Sequence, residues 1–527
     1  VTMSNRSVAF VLLGLILGGL LAALDSTVAS TALPTIIGDL GGLAQMSWVS
    51  TAYLLAAAAV VPIVGKLADM YGRKRWYLLG LVLFMGGSAL CGLAQNMTQL
   101  ILFRGLQGLG GGMLTPVAQT LAGDLFPGEK RVKIQGLMAG LFALASILGP
   151  KLGGLIVENL NWRWVFYMNL PLGVLAFLVI WRSLKETVGS VSRSIDYVGA
   201  ATITIGTVAL LLGLDMGGDK YPWGSWQVAG LFATAAVSFV IFALAERRAE
   251  DPILPLALYR DRLFAACNSL SFIVGAGMTG SLIFIPLFMQ GVVGTGANQA
   301  GSALTPMMLA VIVGSIVGSR MLLKVTYRTQ LLTGGLIMVS GYYLMSTMTA
   351  DTTQRMVQIF MAVTGLGLGF VMPTLTVAVQ NHFPAERRGV VTASVNFARS
   401  VGSSLGVTVF GILMNNRATA LLQDGLTNLA SNLPAGADKL LAPMQETAAT
   451  NPMSLFALLL KPELVAKLPA PIREALFGNL KETLAQSLHF VFLCSAGLAV
   501  TALVVMVLMG SARMPRTEKT PVASVAD

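Results

Sequence analysis

The chain reads as an all-α polytopic membrane protein of about fourteen crossing helices, two six-helix halves with two helices inserted between them. Three observations predict this: the composition, the spacing of the apolar runs, and an internal repeat. Of 527 residues, 55% are hydrophobic and 11% charged, where a soluble globular protein has about a quarter charged. Mean hydropathy is +0.74. The net charge of +11 points to no nucleic-acid partner, because the basic residues lie in short clusters between apolar runs. That pattern is topological.

Taking roughly 20 apolar residues per crossing, helices are expected near 8–33, 46–64, 76–95, 98–125, 134–158, 165–183, 197–216 and 227–246. Six more follow near 264–292, 302–323, 329–349, 356–381, 389–415 and 486–511. An even number puts both termini on one face. The loops of that face hold clusters such as Arg73-Lys74-Arg75, Lys130-Arg131, Arg247-Arg248 and Arg387-Arg388, and also Arg193 and Arg513. Only Arg163, Lys220 and Arg355 occupy the short loops opposite. The positive-inside rule therefore places both termini in the cytoplasm of a cell (plasma or inner) membrane. The tryptophans, from Trp48 to Trp226, fall near helix ends or in loops, as an interfacial belt requires. The first apolar segment is too long for the h-region of a signal peptide and is followed by more spans, so it is expected to remain in the mature protein.

The repeat fixes the architecture. Gly108-Leu-Gly110-Gly-Gly112, Pro116 and Phe126-Pro127-Gly-Glu129-Lys130-Arg131 recur at the same spacing as Gly365-Leu-Gly367-Leu-Gly369, Pro373 and Phe383-Pro384-Ala-Glu386-Arg387-Arg388. Gly149 to Gly153 in the fifth span likewise echoes Gly402 to Gly406 in the thirteenth. Two parallel six-helix halves are a known transporter architecture. The expected divisions are 1–183, the first bundle; 184–263, two inserted helices and linkers; 264–415, five helices of the second bundle; 416–484, an extracytoplasmic loop folded as a helical hairpin or serving as a passive linker; 485–512, the last helix; and 513–527, a cytoplasmic tail.

From Val8 to Pro34 the only ionisable side chain is Asp25. Such a group inside a span is a functional-site hypothesis by default, and the bland alternative is a helix-end residue reaching for water. At 1.5 Å per residue Asp25 lies about 5 Å below the outer edge of a ~30 Å core, and Arg104 of the fourth span about 9 Å below the same edge. The two can meet there, and neither should stay unpaired. Lys151 reaches a similar depth, where it can pair with Asp25, bind an anionic substrate group, or snorkel to the surface. Cys91, Cys267 and Cys494 stand alone, without metal-ligand spacing, so neither a disulfide framework, a metal nor a cofactor is expected. No Gly-x-x-x-x-Gly-Lys-Ser/Thr stretch occurs, so work done by the protein must draw on an ion gradient or run downhill.

Between spans 2 and 3 runs Gly65-Lys66-Leu67-Ala68-Asp69-Met70-Tyr71-Gly72-Arg73-Lys74-Arg75. A carboxylate among so many cations can hold a neighbouring helix and release it when the halves rock. This loop resembles the signature of the major facilitator superfamily, which implies the major facilitator fold. In the second half Leu322 stands where the aspartate would be. Arg104-Gly105-Leu-Gln107-Gly108 is similar to the superfamily's arginine motif associated with proton coupling, and Gly149-Pro150-Lys151-Leu152-Gly153-Gly154 resembles its antiporter motif, with Lys151 at a position usually neutral. Leu24-Asp25-Ser26-Thr27 with Ala32-Leu33-Pro34, Asp251-Pro252-Ile-Leu-Pro255, Ile285-Pro286-Leu-Phe-Met289-Gln290, and Asn396, Arg399 and Gly402 resemble the fourteen-span drug:proton antiporter branch, a multidrug efflux type.

The resemblance implies a secondary efflux antiporter working by alternating access, not an enzyme, with protons, a small amphiphilic substrate and membrane lipids as partners, no nucleic acid, and a monomeric chain. Asp25 and Arg104 are the expected proton-coupling pair. Gly65, Asp69, Gly72, Arg73 and Lys74 are the expected latch, Gly149, Pro150, Gly153 and Gly154 the antiporter motif, and Lys151, Gln107, Asn396, Arg399 and Met289 the substrate-cavity candidates. Because the deep cations Arg104, Lys151 and Arg399 outnumber the one deep carboxylate, export or flipping of an anionic lipid or metabolite is the first alternative. A non-transporting membrane receptor is the second.

Overall fold

In the computed structural model, which describes residues 5–41, 45–185, 194–218, 220–296, 301–432, 437–450, 452–460 and 470–510, the chain is a bundle of long helices. The expected tail at 513–527 and the basic residues Arg193 and Arg513 lie outside the described residues. In chain order the helices are α1 (Asn5–Leu40), α2 (Met46–Tyr71), α3 (Arg73–Leu93), α4 (Met97–Leu125), α5 (Glu129–Asn159) and α6 (Trp164–Ser183, broken at Met168). The inserted pair is α7 (Tyr197–Met216) and α8 (Trp226–Arg248). Then come α9 (Arg262–Gly291), α10 (Thr305–Leu322), α11 (Tyr327–Ser346), α12 (Gln354–His382), α13 (Arg388–Asn432), α14 (Ala437–Thr450), α15 (Pro452–Leu460) and α16 (Ala470–Leu508). Several begin where a side chain satisfies the first free backbone N–H groups: Asn96, Asp196, Asp261 and Thr326 each accept from the residue three positions on.

Twelve of these helices are long and apolar enough to cross a bilayer. The fourteen expected from sequence include two more, α4 and α11, of 29 and 20 residues. Both are diluted by glycine and polar side chains, Arg104, Gln107 and Gln119 in α4 and Gln330, Gly334 and Gly335 in α11, many of them buried against neighbouring helices. Large apolar side chains such as Leu102, Leu155, Leu336 and Tyr343 are exposed on the outside of the bundle, as lipid contact requires.

The two halves use the same packing code. On α4, a Cβ at Gly108 or Gly112 would lie 2.4 Å from the Tyr53 or Ala57 carbonyl oxygen of α2, and one at Gly110 would lie 2.4 Å from the Phe84 nitrogen of α3. On α12, Gly365 and Gly369 meet Met307 and Val311 of α10 in the same way, and Gly367 meets Met338 of α11. Backbones approach closely because only hydrogen occupies these contacts. Gly402 and Gly406 of α13 seat against Phe272 and Ala276 of α9, as Gly149 and Gly153 of α5 seat against Thr27 and Thr31 of α1. The inserted α7 pairs with α8, where its Gly206 and Gly213 receive Phe239 and Phe232, and lies on the seam between α2 and α13.

Two boundaries differ from expectation. The Gly65–Arg75 stretch is not a loop, since α2 stays helical to Tyr71 and α3 starts at Arg73. Only Gly72, at φ 97, makes the turn, a conformation that disfavours any residue with a Cβ. Helices α13 and α16 also run far past the expected ends at 415 and 486. Ala418, Leu422 and Leu426 on one and Leu476, Leu480 and Leu484 on the other are all buried, so the helical period outlasts the membrane-length apolar run. The two extensions pack on each other, Gly425 facing Asn479, and α15 fits against them and α9 through buried Leu455 and Phe456.

Candidate functional site

Asp25 is 1% exposed, midway along a helix that carries no other ionisable side chain between Val8 and Pro34. Its Oδ2 accepts from Arg104 Nη1 at 2.6 Å, and its Oδ1 from Gln107 Nε2 at 2.7 Å and Asn169 Nδ2 at 2.8 Å. The carboxylate is thus gripped by α4 and α6 at once. Arg104 is equally enclosed: Nε donates to the Val49 carbonyl at 3.2 Å, Nη1 also reaches Gln107 Oε1, and the guanidinium carbon lies 4.4 Å from the Tyr53 ring centroid. Ser88 Oγ accepts from both Gln107 and Asn169. A buried ion pair is tolerable only with its remaining lone pairs and protons satisfied, and here several neutral groups share that task.

Sequence reasoning brought Asp25 and Arg104 to one depth but missed Asn169 and Ser88. The Asn169 signal was readable: a polar residue just after a run of aromatic residues, at the point where α6 breaks into Trp164–Tyr167 and Asn169–Ser183. Gln107, taken from sequence as a cavity candidate, belongs instead to this sealed network.

Two cavities lie between the halves. A central one of about 320 Å³ is lined by α1, α4, α5, α9, α10, α12 and α13, with Gln119, Gln135, Thr376 and Arg399 among apolar residues such as Phe142, Met278 and Met308. A larger one of about 1050 Å³ opens toward the face opposite the basic loops, walled by α2, α7, α9 and α13. Thr279 lines both, and Ser403 and its neighbour Ser404 line one each, so the two adjoin. Of the cavity candidates, Arg399 lines the central space. Asn396 stands behind it, accepting from Arg399 and donating to Gln119 Oε1 across the halves at 2.8 Å. Met289 is fully buried in the core of the second half. Lys151 reaches neither Asp25 nor either of these two cavities; its side chain is exposed on the outer surface of α5, where a flexible stem can carry the charge to a water interface.

Toward the basic face the seam is closed. Asp69 on α2 accepts from the backbone N–H groups of Gly389 and Val390, both at 2.9 Å, capping the first turn of α13 in the other half. It also accepts from Arg73 Nη2 at 2.7 Å, and the same nitrogen donates to the Ala385 carbonyl. A helix N-terminus offers free donors and a positive dipole end, which suits a carboxylate. Asp124 joins this cluster, paired with Arg73 and with Arg388. Gly65 and Gly389 make the approach possible, because a Cβ on Gly65 would lie 2.8 Å from the Gly389 oxygen and one on Gly389 2.4 Å from the Gly65 oxygen. Lys74 donates instead to the Trp181 carbonyl on α6.

The second seam, α5 against α10, has no carboxylate among its contacts in the described residues. Gly136 accommodates Ser319, whose hydroxyl donates to the Val132 carbonyl, and Arg131 binds the Gln380 carbonyl and Asn381 at the end of α12. Asn381 in turn donates to Tyr327 Oη. Gln380 donates to the Gln119 carbonyl and accepts from Gln135, tying the floor of the central cavity across both halves. Of the antiporter-motif residues, Gly149 and Gly153 hold α5 on α1, Pro150 interrupts the α5 ladder beside them, and Gly154 faces open space.

The chain is 45% identical over 479 residues to Multidrug transporter protein MdtP of Bacillus subtilis (strain 168), covering 91% of this chain and 88% of that protein. It is 39% identical to Multidrug resistance protein 3 of the same organism over 516 residues, 98% of each. Among solved structures, a double tryptophan mutant of XylE aligns with a TM-score of 0.62 at 13% identity, over 97% of this chain and 98% of that one. The human organic anion transporter MFSD10 (TETRAN) aligns at 0.58 with 14% identity, over 95% and 99%; both show likeness of fold alone. With the family model described as Major Facilitator Superfamily matching residues 15–407, the chain belongs to that superfamily.

Proposed function

We propose that the protein is a proton-coupled exporter of small amphiphilic compounds, drugs among them, working by alternating access in the cell membrane as a monomer with both termini in the cytoplasm. The observation that carries this is the central cavity lined by both halves, closed toward the basic face by Asp69 and Arg73 and adjoining a wide vestibule at the other face. With the basic face inside, this arrangement is outward-facing, and rupture of the Asp69 cap on α13 accompanies the return. Relatives named Multidrug transporter protein MdtP and Multidrug resistance protein 3 support the substrate class.

Asp25 and Arg104 serve as the proton-coupling pair. In the closed network the carboxylate holds three donors and is shut off from both cavities, so protonation requires α1 to shift against α4 and α6 and admit water. Its position suits this, because Leu15, Ile16, Gly19 and Leu20 of the same helix line the central cavity, and movement there is transmitted along α1 to Asp25. Neutralising the carboxylate releases Arg104 in part, which links proton binding to the packing of α1.

The test is export of a fluorescent lipophilic dye from proteoliposomes under an imposed pH gradient. Asp25→Asn, close in shape but unable to cycle a proton, is expected to abolish gradient-driven transport while leaving dye binding intact. Gradient-driven export at the wild-type rate by that variant would remove Asp25 from the mechanism.

A further inference from the structure

We infer that the central cavity contains an anion-recognition subsite built on Arg399, and that the compounds it holds best are amphiphiles bearing a carboxylate or similar acidic group. The inference rests on the export function proposed above for the surrounding cavity and names the substrate class that this cavity selects.

Arg399 is the one charged residue among those lining the central cavity. Among the described residues no carboxylate lies within salt-bridge distance of it, and its side-chain hydrogen bond is to Asn396 Oδ1. Two buried cations of the first half are served differently: Arg104 has Asp25, and Arg73 has Asp69 and Asp124. No acid among the described residues lines the central cavity: Asp25 is 1% exposed and saturated by donors from α4 and α6, and Asp215, which accepts from Thr51, lines the outer cavity instead.

A guanidinium held among apolar walls at membrane depth is costly without a counter-charge, and its planar fork matches a carboxylate with two parallel hydrogen bonds. Gln119, Thr376 and Ser403 line the same space and offer further polar contacts, while Phe142, Met278 and Met308 provide an adaptable apolar wall for the body of the ligand. At about 320 Å³ the space is of drug-ligand size. Asn396 holds Arg399 and also donates to Gln119 of the other half, so an anion drawing the guanidinium away perturbs a contact that joins the halves.

The same chemistry is presented by a water-soluble amphiphilic acid and by an anionic lipid headgroup. Binding to the purified full chain separates them, with the fluorescent arylpropionic acid naproxen, its methyl ester, and competing phosphatidylglycerol as probes. Wild type is expected to bind the acid about tenfold or more tighter than the ester. Arg399→Gln should erase that preference while retaining ester binding, and Arg399→Lys should keep part of it. If the acid shows no preference but phosphatidylglycerol binding falls by a similar factor in Arg399→Gln, the anion subsite stands and the lipid is its source. Equal binding of acid and ester in wild type, together with phosphatidylglycerol binding indifferent to Arg399→Gln, overturns the subsite. The comparison of acid with ester in wild type needs no variant to fold. Acid-selective binding without gradient-driven export of the acid would leave the subsite in place and refute the export function instead.

Discussion

Replacing Asp69 with Asn tests whether a single carboxylate holds the basic-face seam shut. The change preserves size and removes charge. Asp69 accepts from Gly389 N–H, Val390 N–H and Arg73, and its side chain is 1% exposed. A hydrogen bond to a charged group contributes ~1.5–3 kcal/mol against ~0.5–1.5 kcal/mol for a neutral one. The charge at the α13 N-terminus adds about 0.3–1 kcal/mol. An amide has one oxygen and must turn its NH₂ toward Arg73 or one of the N–H groups, so the combined loss is roughly 2–4 kcal/mol. Because both backbone contacts cross between the halves, that loss falls on the closed arrangement and shifts the equilibrium toward opening by about 30- to 1000-fold. Spin labels at exposed Lys130 and Arg387, one on each half, read the separation directly by pulsed dipolar spectroscopy in a cysteine-free background. A second, longer distance population should appear or grow in Asp69→Asn relative to wild type. An unchanged distribution in a folded variant would show that the neutral contacts of the seam suffice, and that Asp69 is not the latch.

Two further outcomes are expected. At Gly149 a Cβ would lie 1.9 Å from Thr27 Oγ1, so Gly149→Ala should lower thermal stability in detergent by about 1–3 kcal/mol; Thr27→Gly should restore most of it in the double variant, and additive losses would show that the two sites do not touch. Outside the spans, burial pushes the Asp261 carboxyl up, but the Phe264 N–H and His382 outweigh it and hold the group below its ordinary value. A carboxylate depressed on folding stabilises above its unfolded pKa and loses that contribution as pH falls through the folded one. Melting temperature should therefore drop less steeply below about pH 4 in Asp261→Asn than in wild type, and parallel acid limbs would contradict the assignment.

What the sequence made legible was whatever repeats or violates its surroundings. The glycine triplets of α4 and α12 share a spacing, and each makes the same two helix contacts. Asp25 was conspicuous as a lone charge in an apolar run, and rise per residue alone put Arg104 within reach of it. Asn169 and Ser88 were not, because a neutral polar residue in a span violates little, and their partners, 144 and 81 positions away for Asn169 and 19 and 81 for Ser88, are set by tertiary packing. Lys151 shows the opposite limit. Depth along a helix is readable from residue count, but the direction in which a side chain points depends on the rotation of α5 against α1, which Gly149 and Gly153 fix by packing on Thr27 and Thr31. The face of α5 that bears Lys151 is the one turned outward.

The absence of an aspartate at Leu322 marks a difference in kind between the two seams. Where α2 meets α13, closure depends on Asp69, Asp124, Arg73 and Arg388, charges that water solvates well once the seam opens. Where α5 meets α10, the contacts are Gly136 against Ser319 and Arg131 with backbone and amide partners, one cation where the first seam gathers four charges. Leu322 is 2% exposed, in the apolar core of the second half, so an aspartate there would be a buried charge. In the transport cycle proposed above, protonation, ionic strength and ligand charge would therefore act on opening chiefly through the first seam and through the Arg399–Asn396–Gln119 contact.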